Sequence, residues 1–349
     1  EKNNNMNLED LKKSVEKQYG MGDVVGGYDV IPTGSIGLDM ATGIGGFPLG
    51  RIVETFAQES CGKTFIAQKV CANAIKMGLK VAYIDAEYAI DPDWAKFNGF
   101  DLEDPNVLFF QPDTVEDACN ITDEIARSGL VSVIVIDSLS ALVPEKEFEA
   151  PVGTSTIGVK ARLLSQFLRK IKGTLRKNNV LLLTIGQMRD SIGGISFGDS
   201  ATTDYGNGMK FTASMQVRYW RGIEKDKNGN PIANKTTAKV KKNKCATPFG
   251  VAKYQIVFGE GIDNDKEIVE IALDKKVITK NGAWYKMNGE NIGQGSNGVK
   301  ENMNANLDLK NAIIDGINKS FESSKNAYRI PLATQSDELG EVRELQAEN

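Results

Sequence analysis

The nine residues AQESCGKTF, Ala57 to Phe65, carry the densest chemistry in the chain. Gly62, Lys63 and Thr64 close a phosphate-loop pattern, but Ala57 stands where its first glycine is usual. An alanine there adds one methyl at a point where the backbone can keep an ordinary conformation. Gly62, where backbone comes closest to phosphate, is retained. Backbone N–H groups at such a turn, with the helix N-terminus behind them, form an anion site. In that setting Lys63 would bind the β- and γ-phosphates of a nucleoside triphosphate, and Thr64 would ligate Mg2+. Cys61 places a thiol inside the same site. Helix N-termini lower thiol pKa values, so Cys61 is expected to be modifiable while nucleotide is absent.

Two acids end apolar runs nearby. Asp137 closes VIVID, where it could hold Mg2+ through water; the plainer reading is a helix cap after a strand. Glu87 closes VAYIDAE and could polarise an attacking water, with Asp85 as the competing residue. Strand alternation points both side chains the same way, so pattern leaves that choice open. The chain has no histidine, which removes every Ser-His-Asp and Cys-His mechanism. Any general base is a carboxylate, Lys or Tyr. Four cysteines, none in a C-x-x-C pair, argue against structural zinc and fit reduced thiols in a cytosolic protein.

Residues 159–177 read as a helix with basic residues and no acids. Leu164, Phe167, Leu168, Ile171 and Leu175 form one apolar stripe. Arg162, Ser165, Arg169, Lys172 and Arg176 form a second. Arg162 lies about 200° around the helix from Leu164, so the basic stripe faces away from the core. Such a face can track a phosphate backbone, or it can be a solvated surface that lacks the usual interspersed acids. KTTAKVKKNK adds Lys242 and Lys244 on one face of a strand. They could meet phosphates of nucleic acid or of a neighbouring subunit's nucleotide, or only solubilise a sheet edge.

The elements that hold these residues follow from periodicity. Residues 51–187 alternate short apolar strands with helical runs, which implies right-handed crossovers and a parallel sheet covered on both faces. Ligands bind such sheets at the carboxyl ends of strands, where the loop, Glu87, Asp137 and Gln187 all fall. Residues 188–208 lack periodicity and read as a long functional loop. Two strands around DKNGNP finish the sheet, and a change of character near Asp263 marks a small α+β unit. The expected division is an arm at 1–33, a core at 34–262, a small domain at 263–331 and an acid-leaning tail at 332–349. The amphipathic run LEDLKKSVEKQ could dock on a neighbouring subunit or fold back on its own core. With 349 residues, 41% hydrophobic and 25% charged, composition is that of a globular protein. A net charge of −4 gives no global nucleic-acid signature. No apolar run approaches the roughly 18 residues of a membrane span, and the polar start EKNNNMNLED has no signal-like apolar region.

Together these residues resemble the RecA family of recombinases. The likeness runs from IPTGSIGLDMATGIGGFPLGRIVE, starting at Ile31, to GAWYKMNGENIGQG, ending at Gly295. ESCGKT, YIDAEYAIDP, QPDT, IARSG, VIVIDSLSALVP, KNKCATPF and FGEGI are its detailed matches. It implies a P-loop α/β core with a mostly parallel sheet, an N-terminal helical arm and a small α+β C-terminal domain. It implies an ATP- and Mg2+-dependent filament of many copies on single-stranded DNA, which pairs that strand with homologous duplex DNA in the cytoplasm. By position, Glu59, Ser60, Cys61, Gly62, Lys63, Thr64 and Phe65 would surround the phosphates and Mg2+. Asp137 would be the second metal-site residue and Glu87 the water-activating one. Asp91 and Trp94 would hold adenine, with Trp94 where tyrosine is common. Gln187 would sense the γ-phosphate, Lys242 and Lys244 would reach ATP across a subunit interface, and Phe211 would lie in that relay. DNA loops would span about 149–158 and 188–207. Ile157 and Ile192 would wedge between bases, and Arg162, Ser165, Arg169, Arg189, Gly206 and Asn207 would contact the backbone. Gly186 departs from a usual asparagine, and the second loop is one residue longer and carries Asp190, Ser191, Asp204 and Tyr205 where the bacterial pattern is less acidic. These departures fit a diverged member, such as one carried by a phage or plasmid. The alternatives are a ring-shaped motor on the same core, or an ATP-binding DNA-coating protein whose turnover has decayed.

Overall fold

The computed structural model describes residues 8–19, 27–151, 158–189, 202–203, 208–320 and 328–334. Helix α1 (Leu8–Tyr19) leads the chain. Its Leu8, Leu11 and Val15 are exposed, so its apolar stripe does not fold back on the core. Strands β1 (Val30–Ile31) and β2 (Phe47–Pro48) pair antiparallel around α2 (Ile36–Thr42). Ser35 caps α2 by accepting from the Leu38 N–H, and Gly43 ends it with a left-handed φ of 73°.

The core then alternates. In chain order it runs β3 (Ile52–Ala57), α3 (Lys63–Lys76), β4 (Val81–Asp85), α4 (Pro92–Phe97), β5 (Val107–Phe110), α5 (Val115–Ser128) and β6 (Val133–Asp137). Next come the short α6 (Glu145–Phe148), α7 (Val159–Lys177), β7 (Leu181–Arg189), β8 (Thr202–Thr203) and α8 (Gly208–Thr212). Long antiparallel strands follow: β9 (Met215–Lys225), β10 (Pro231–Asn243), β11 (Val251–Val257) and the short β12 (Gly261–Ile262). The sheet has the order β12-β11-β10-β9-β3-β7-β6-β4-β5, with β8 on β7. From β9 through β5 every neighbouring pair is parallel.

Alternation along each strand makes two cores. Val53, Val81, Tyr83, Val133 and Val135 face the α3 side, while Ile52, Ala82, Ile84, Ile134 and Ile136 face the α5 and α7 side. Leu164, Phe167, Leu168, Ile171 and Leu175 of α7 are all buried in the second core, as their spacing predicts. The sequence reading of 188–208 as loop is too long at both ends. Strand β7 runs to Arg189, and α8 starts at Gly208.

A separate apolar cluster organises α9 (Asn264–Asp274), β13 (Thr279–Asn281), β14 (Trp284–Met287), β15 (Glu290–Gln294), α10 (Gly295–Ala305) and α11 (Leu307–Ser320). Helix α10 escapes the sequence reading because GSNGVKENMNA is mostly polar, with Val299 and Met303 buried. Residues 328–334 return along α11. Asn318 exchanges two hydrogen bonds with the backbone of Ile330, and Asn311 does the same with Ala333. Glu267 of α9 ties this cluster to the core. Its carboxylate accepts from Ser35 Oγ (2.7 Å), Gly37 N (2.9 Å) and Ile36 N (3.0 Å) at the start of α2.

Candidate functional site

Strand β3 delivers the chain to the phosphate loop at the carboxyl edge of the sheet. Ser60 and Gly62 both take left-handed φ, 57° and 85°. A Cβ on Gly62 would also lie 2.5 Å from Ile256 Cδ1, so glycine is demanded by conformation and by space. Helix α3 starts at Lys63, with its free N–H groups toward the loop. Lys63 is 7% exposed, and its ammonium donates to the carbonyls of Gln58 (2.8 Å) and Ala57 (3.5 Å). Burial lowers its pKa, opposed by Cys61, Asp137, Glu87 and Glu59.

A cleft of about 520 Å3 opens over this loop, lined by Ser60 to Phe65, Asp91, Trp94 and residues 256–259. Asp91 caps α4, its carboxylate accepting from the Trp94 N–H at 3.0 Å. The Trp94 ring stacks on Phe97 with centroids 5.5 Å apart, and Phe65, which lines the same cleft, lies 6.3 Å from it. Cys61 corrects the sequence expectation. The residue is 4% exposed, and burial pushes its thiol pKa up, not down, against the pull of Lys63 and Arg221. A larger cleft of about 800 Å3 lies between α2, β11 and α9, and no phosphate-loop residue lines it.

Asp137 ends β6 on the same face as Val133 and Val135, so it points toward α3. It is 3% exposed. Oδ2 accepts from the Tyr83 hydroxyl at 2.8 Å, while Oδ1 is buried without a partner among the described residues. Burial pushes the carboxyl up to about 6, with the Thr64 and Tyr83 hydroxyls opposing and Glu87 and Asp85 adding to the rise. A buried, unpartnered carboxylate oxygen beside a threonine hydroxyl suits a hydrated hard cation. The helix-cap reading of Asp137 finds no support here, because the next helix starts only at Glu145.

The structure also separates Asp85 from Glu87. Strand β4 ends at Asp85, which is 2% exposed and engaged by Gln111 Nε2 (3.2 Å) and the Ala89 and Ile90 N–H groups. Glu87 lies beyond the strand, exposed, and accepts from Gln187 Nε2 at 2.5 Å. Gln187 sits on β7 opposite Ala57 of β3, and its N–H donates to Ser140 Oγ at 2.9 Å. One strand end therefore joins the phosphate loop, the exposed acid and the segment that follows Arg189. Gly186 pairs with Phe56 in the same register.

The basic stripe of α7 is presented as its spacing predicts. Arg162, Arg169, Lys172 and Arg176 are exposed, and Ser165 is half-buried against Gly208. Lys242 and Lys244 converge. Lys242 Nζ donates to Lys210 O (2.6 Å) and Phe211 O (3.3 Å), and Lys244 Nζ donates to Phe211 O (3.4 Å). Burial pulls Lys242 down to about 8, with Lys244 adding to the fall, Glu54 opposing it and Lys172 a smaller contributor. Phe211 itself is 73% exposed. Ile157, Ile192, Gly206 and Asn207 lie outside the described residues, as does the Arg189 side chain. Sequence reasoning missed Tyr83 at the Asp137 carboxylate and Arg221, whose guanidinium donates to Ser60 O at 3.4 Å. Tyr83 was traceable, since it shares the parity of Asp85, and Asp85 is in register with Asp137. Nothing local marks Arg221.

A strand, a phosphate loop and a helix at the carboxyl edge of a parallel sheet, with an acidic strand end beside them, define the phosphate-loop α/β class. Two family models match in succession, the RecA N-terminal domain over residues 6–263 and the RecA C-terminal domain over residues 266–322. The chain belongs to the RecA family. It is 41% identical over 341 residues to Protein RecA of Laribacter hongkongensis, covering 93% of this chain and 96% of that one. It is 42% identical over 329 residues to Protein RecA of Heliobacterium modesticaldum, covering 92% and 94%. With Protein RecA of Clostridioides difficile identity is 43% over 314 residues, covering 88% and 89%. Among solved structures, the RadB recombinase superposes with a TM-score of 0.51 at 18% identity, covering 67% of this chain and 98% of that one. That likeness bears on the fold alone. The motor and decayed-turnover alternatives are not favoured by these matches.

Proposed function

We infer that the chain is an ATP-dependent recombinase that assembles as a filament on single-stranded DNA, pairs it with homologous duplex DNA and hydrolyses ATP when DNA is bound. The observation that carries this reading is the Gln187–Glu87 hydrogen bond. It joins a carboxylate at the mouth of a phosphate loop to the strand that leads toward the proposed DNA loop. Glu59 to Phe65 surround the phosphates, and Lys63 exchanges its loop carbonyls for phosphate oxygens. Asp91 and Trp94 flank the adenine. Thr64 and Asp137 hold Mg2+, which when bound offsets phosphate charge. Glu87 orients the attacking water once Gln187 turns to the γ-phosphate. Lys242 and Lys244 reach the triphosphate of a neighbouring copy, and Phe211 marks that contact.

For DNA, Arg162, Ser165, Arg169, Lys172 and Arg176 track the phosphate backbone, joined by Arg189, Gly206 and Asn207, while Ile157 and Ile192 separate bases. The arm at 1–33 contacts the adjoining copy, the core spans 34–262, and the small domain spans 263–331. The working compartment is the cytoplasm. The deciding experiment is phosphate release with and without single-stranded DNA. DNA stimulates it, and Lys63→Ala abolishes the stimulated rate. A rate that ignores both DNA and Lys63→Ala overturns the reading.

A further inference from the structure

Strand β4 buries a hydroxyl that packing alone does not require. Tyr83 is 0% exposed and belongs to the apolar core between the sheet and α3. Its ring packs beside Phe100, centroids 5.5 Å apart, and Phe109, 6.5 Å apart. A phenylalanine would fill the same space. Burying a hydroxyl costs free energy unless it finds a partner, and this one reaches past Val135, its register neighbour, to Asp137 Oδ2 at 2.8 Å. The diagonal reach is within the range of an aromatic side chain on one sheet face.

The bond makes the two carboxylate oxygens unequal. Oδ2 is committed to Tyr83, and Oδ1 is buried with no donor within 3.5 Å among the described residues, while the Thr64 hydroxyl acts on the same carboxylate. Asp85 and Glu87 lie close enough to repel the same carboxylate, so a carboxylate without its anchor would be free to turn away from them. The two aromatic neighbours fix the Tyr83 ring, and the ring fixes the carboxylate. Groups that orient a metal-site carboxylate in this way set cation affinity without touching the cation.

We propose that Tyr83 is a positioning residue for the divalent-cation site, holding Asp137 so that Oδ1 faces the hydrated ion beside Thr64. The inference rests on the nucleotide site described above. Removal of the hydroxyl leaves nucleotide contacts in place and weakens the cation's hold.

The test is Tyr83→Phe in the full chain. Binding of a fluorescent ADP analogue is measured while Mg2+ is titrated, and Mn2+ uptake in the presence of ADP is followed by electron paramagnetic resonance. The concentration of Mg2+ at half-saturation rises by about tenfold or more, the scale at which such supporting groups act. Mn2+ affinity falls in parallel, and affinity for the analogue in chelator is unchanged. A half-saturation point equal to that of the wild type overturns the proposal. So does a Tyr83→Phe chain that no longer folds, which would make the hydroxyl a structural group. Wild-type nucleotide binding that ignores Mg2+ overturns the cation site itself, and the inference with it.

Discussion

Replacing Glu267 tests how the C-terminal cluster is fastened to the core. The residue is 1% exposed and supplies the acceptors for Ser35 Oγ, Ile36 N and Gly37 N. In Glu267→Ala, Ser35 Oγ still accepts from the Leu38 N–H, but its own hydroxyl loses its acceptor. Ile36 and Gly37 lose an acceptor. Three orphaned donors at about 1–3 kcal/mol each set a ceiling near 9 kcal/mol. Gly37 lines the larger cleft, where water reaches, which brings the expected loss to about 2–3 kcal/mol. Glu267→Gln keeps one oxygen and turns an amide toward one donor, for a loss of about 1–2 kcal/mol. Burial raises the Glu267 carboxyl from 4.5 to about 7, against its three donors and with Glu270 adding to the rise. The folded chain therefore keeps a proton that the unfolded chain has released. Stability from this group is complete below the unfolded value of 4.5 and is lost as pH climbs through about 7. Glutamine does not titrate, so the margin of wild type over Glu267→Gln shrinks across that window. Asp39, raised to about 8 by burial with Glu267 adding to the rise, titrates in the same direction in both chains and loses that contribution in Glu267→Gln. The assay is urea unfolding followed by tryptophan fluorescence, with Trp284 on β14 reporting the C-terminal cluster. Losses below about 0.5 kcal/mol in both variants, the scale of an inert surface change, would refute the fastening argument.

Three further outcomes follow from the site. Arg169→Ala lowers affinity for single-stranded DNA and flattens the logarithmic salt slope by about 0.7 for one lost phosphate contact; an unchanged slope in titrations over salt would return the stripe to a solvated face. Lys242 loses its charge as pH rises through about 8, so DNA-stimulated hydrolysis falls on that limb, and Lys242→Arg removes the fall. A pH–rate profile with the same limb in both chains would place the titration elsewhere. Cys61 labels slowly with iodoacetamide near neutral pH even without nucleotide, as its burial and raised pKa require; rapid labelling located by peptide mass spectrometry would contradict the buried thiol.

What could be read from the sequence follows the range of the interactions. The α7 stripes were legible because helical spacing alone decides which side chains share a face. The placement of Lys63, Thr64 and Asp137 at the carboxyl edge of the sheet was legible because a strand end or a loop sets each one. The choice between Asp85 and Glu87 was not, since it turns on where β4 stops and on Gln111 and Gln187, which are distant in sequence. Glu267 was invisible for the same reason: its partners at Ser35 to Gly37 lie more than two hundred residues earlier. The thiol reasoning failed because it counted the helix terminus and could not count the burial.

The two asparagines on α11 have a consequence for how this region can change. Each completes both hydrogen bonds of one backbone unit, at Ile330 and at Ala333, so the clamp reads peptide groups and not side chains. Of the residues it spans, Ile330 is buried at 4% exposure, whereas Leu332 is 55% exposed. Sequence drift at the exposed position therefore leaves the grip intact, while a proline at Ile330 or Ala333 removes the N–H that the clamp requires. The return segment is constrained in backbone and permissive in alphabet.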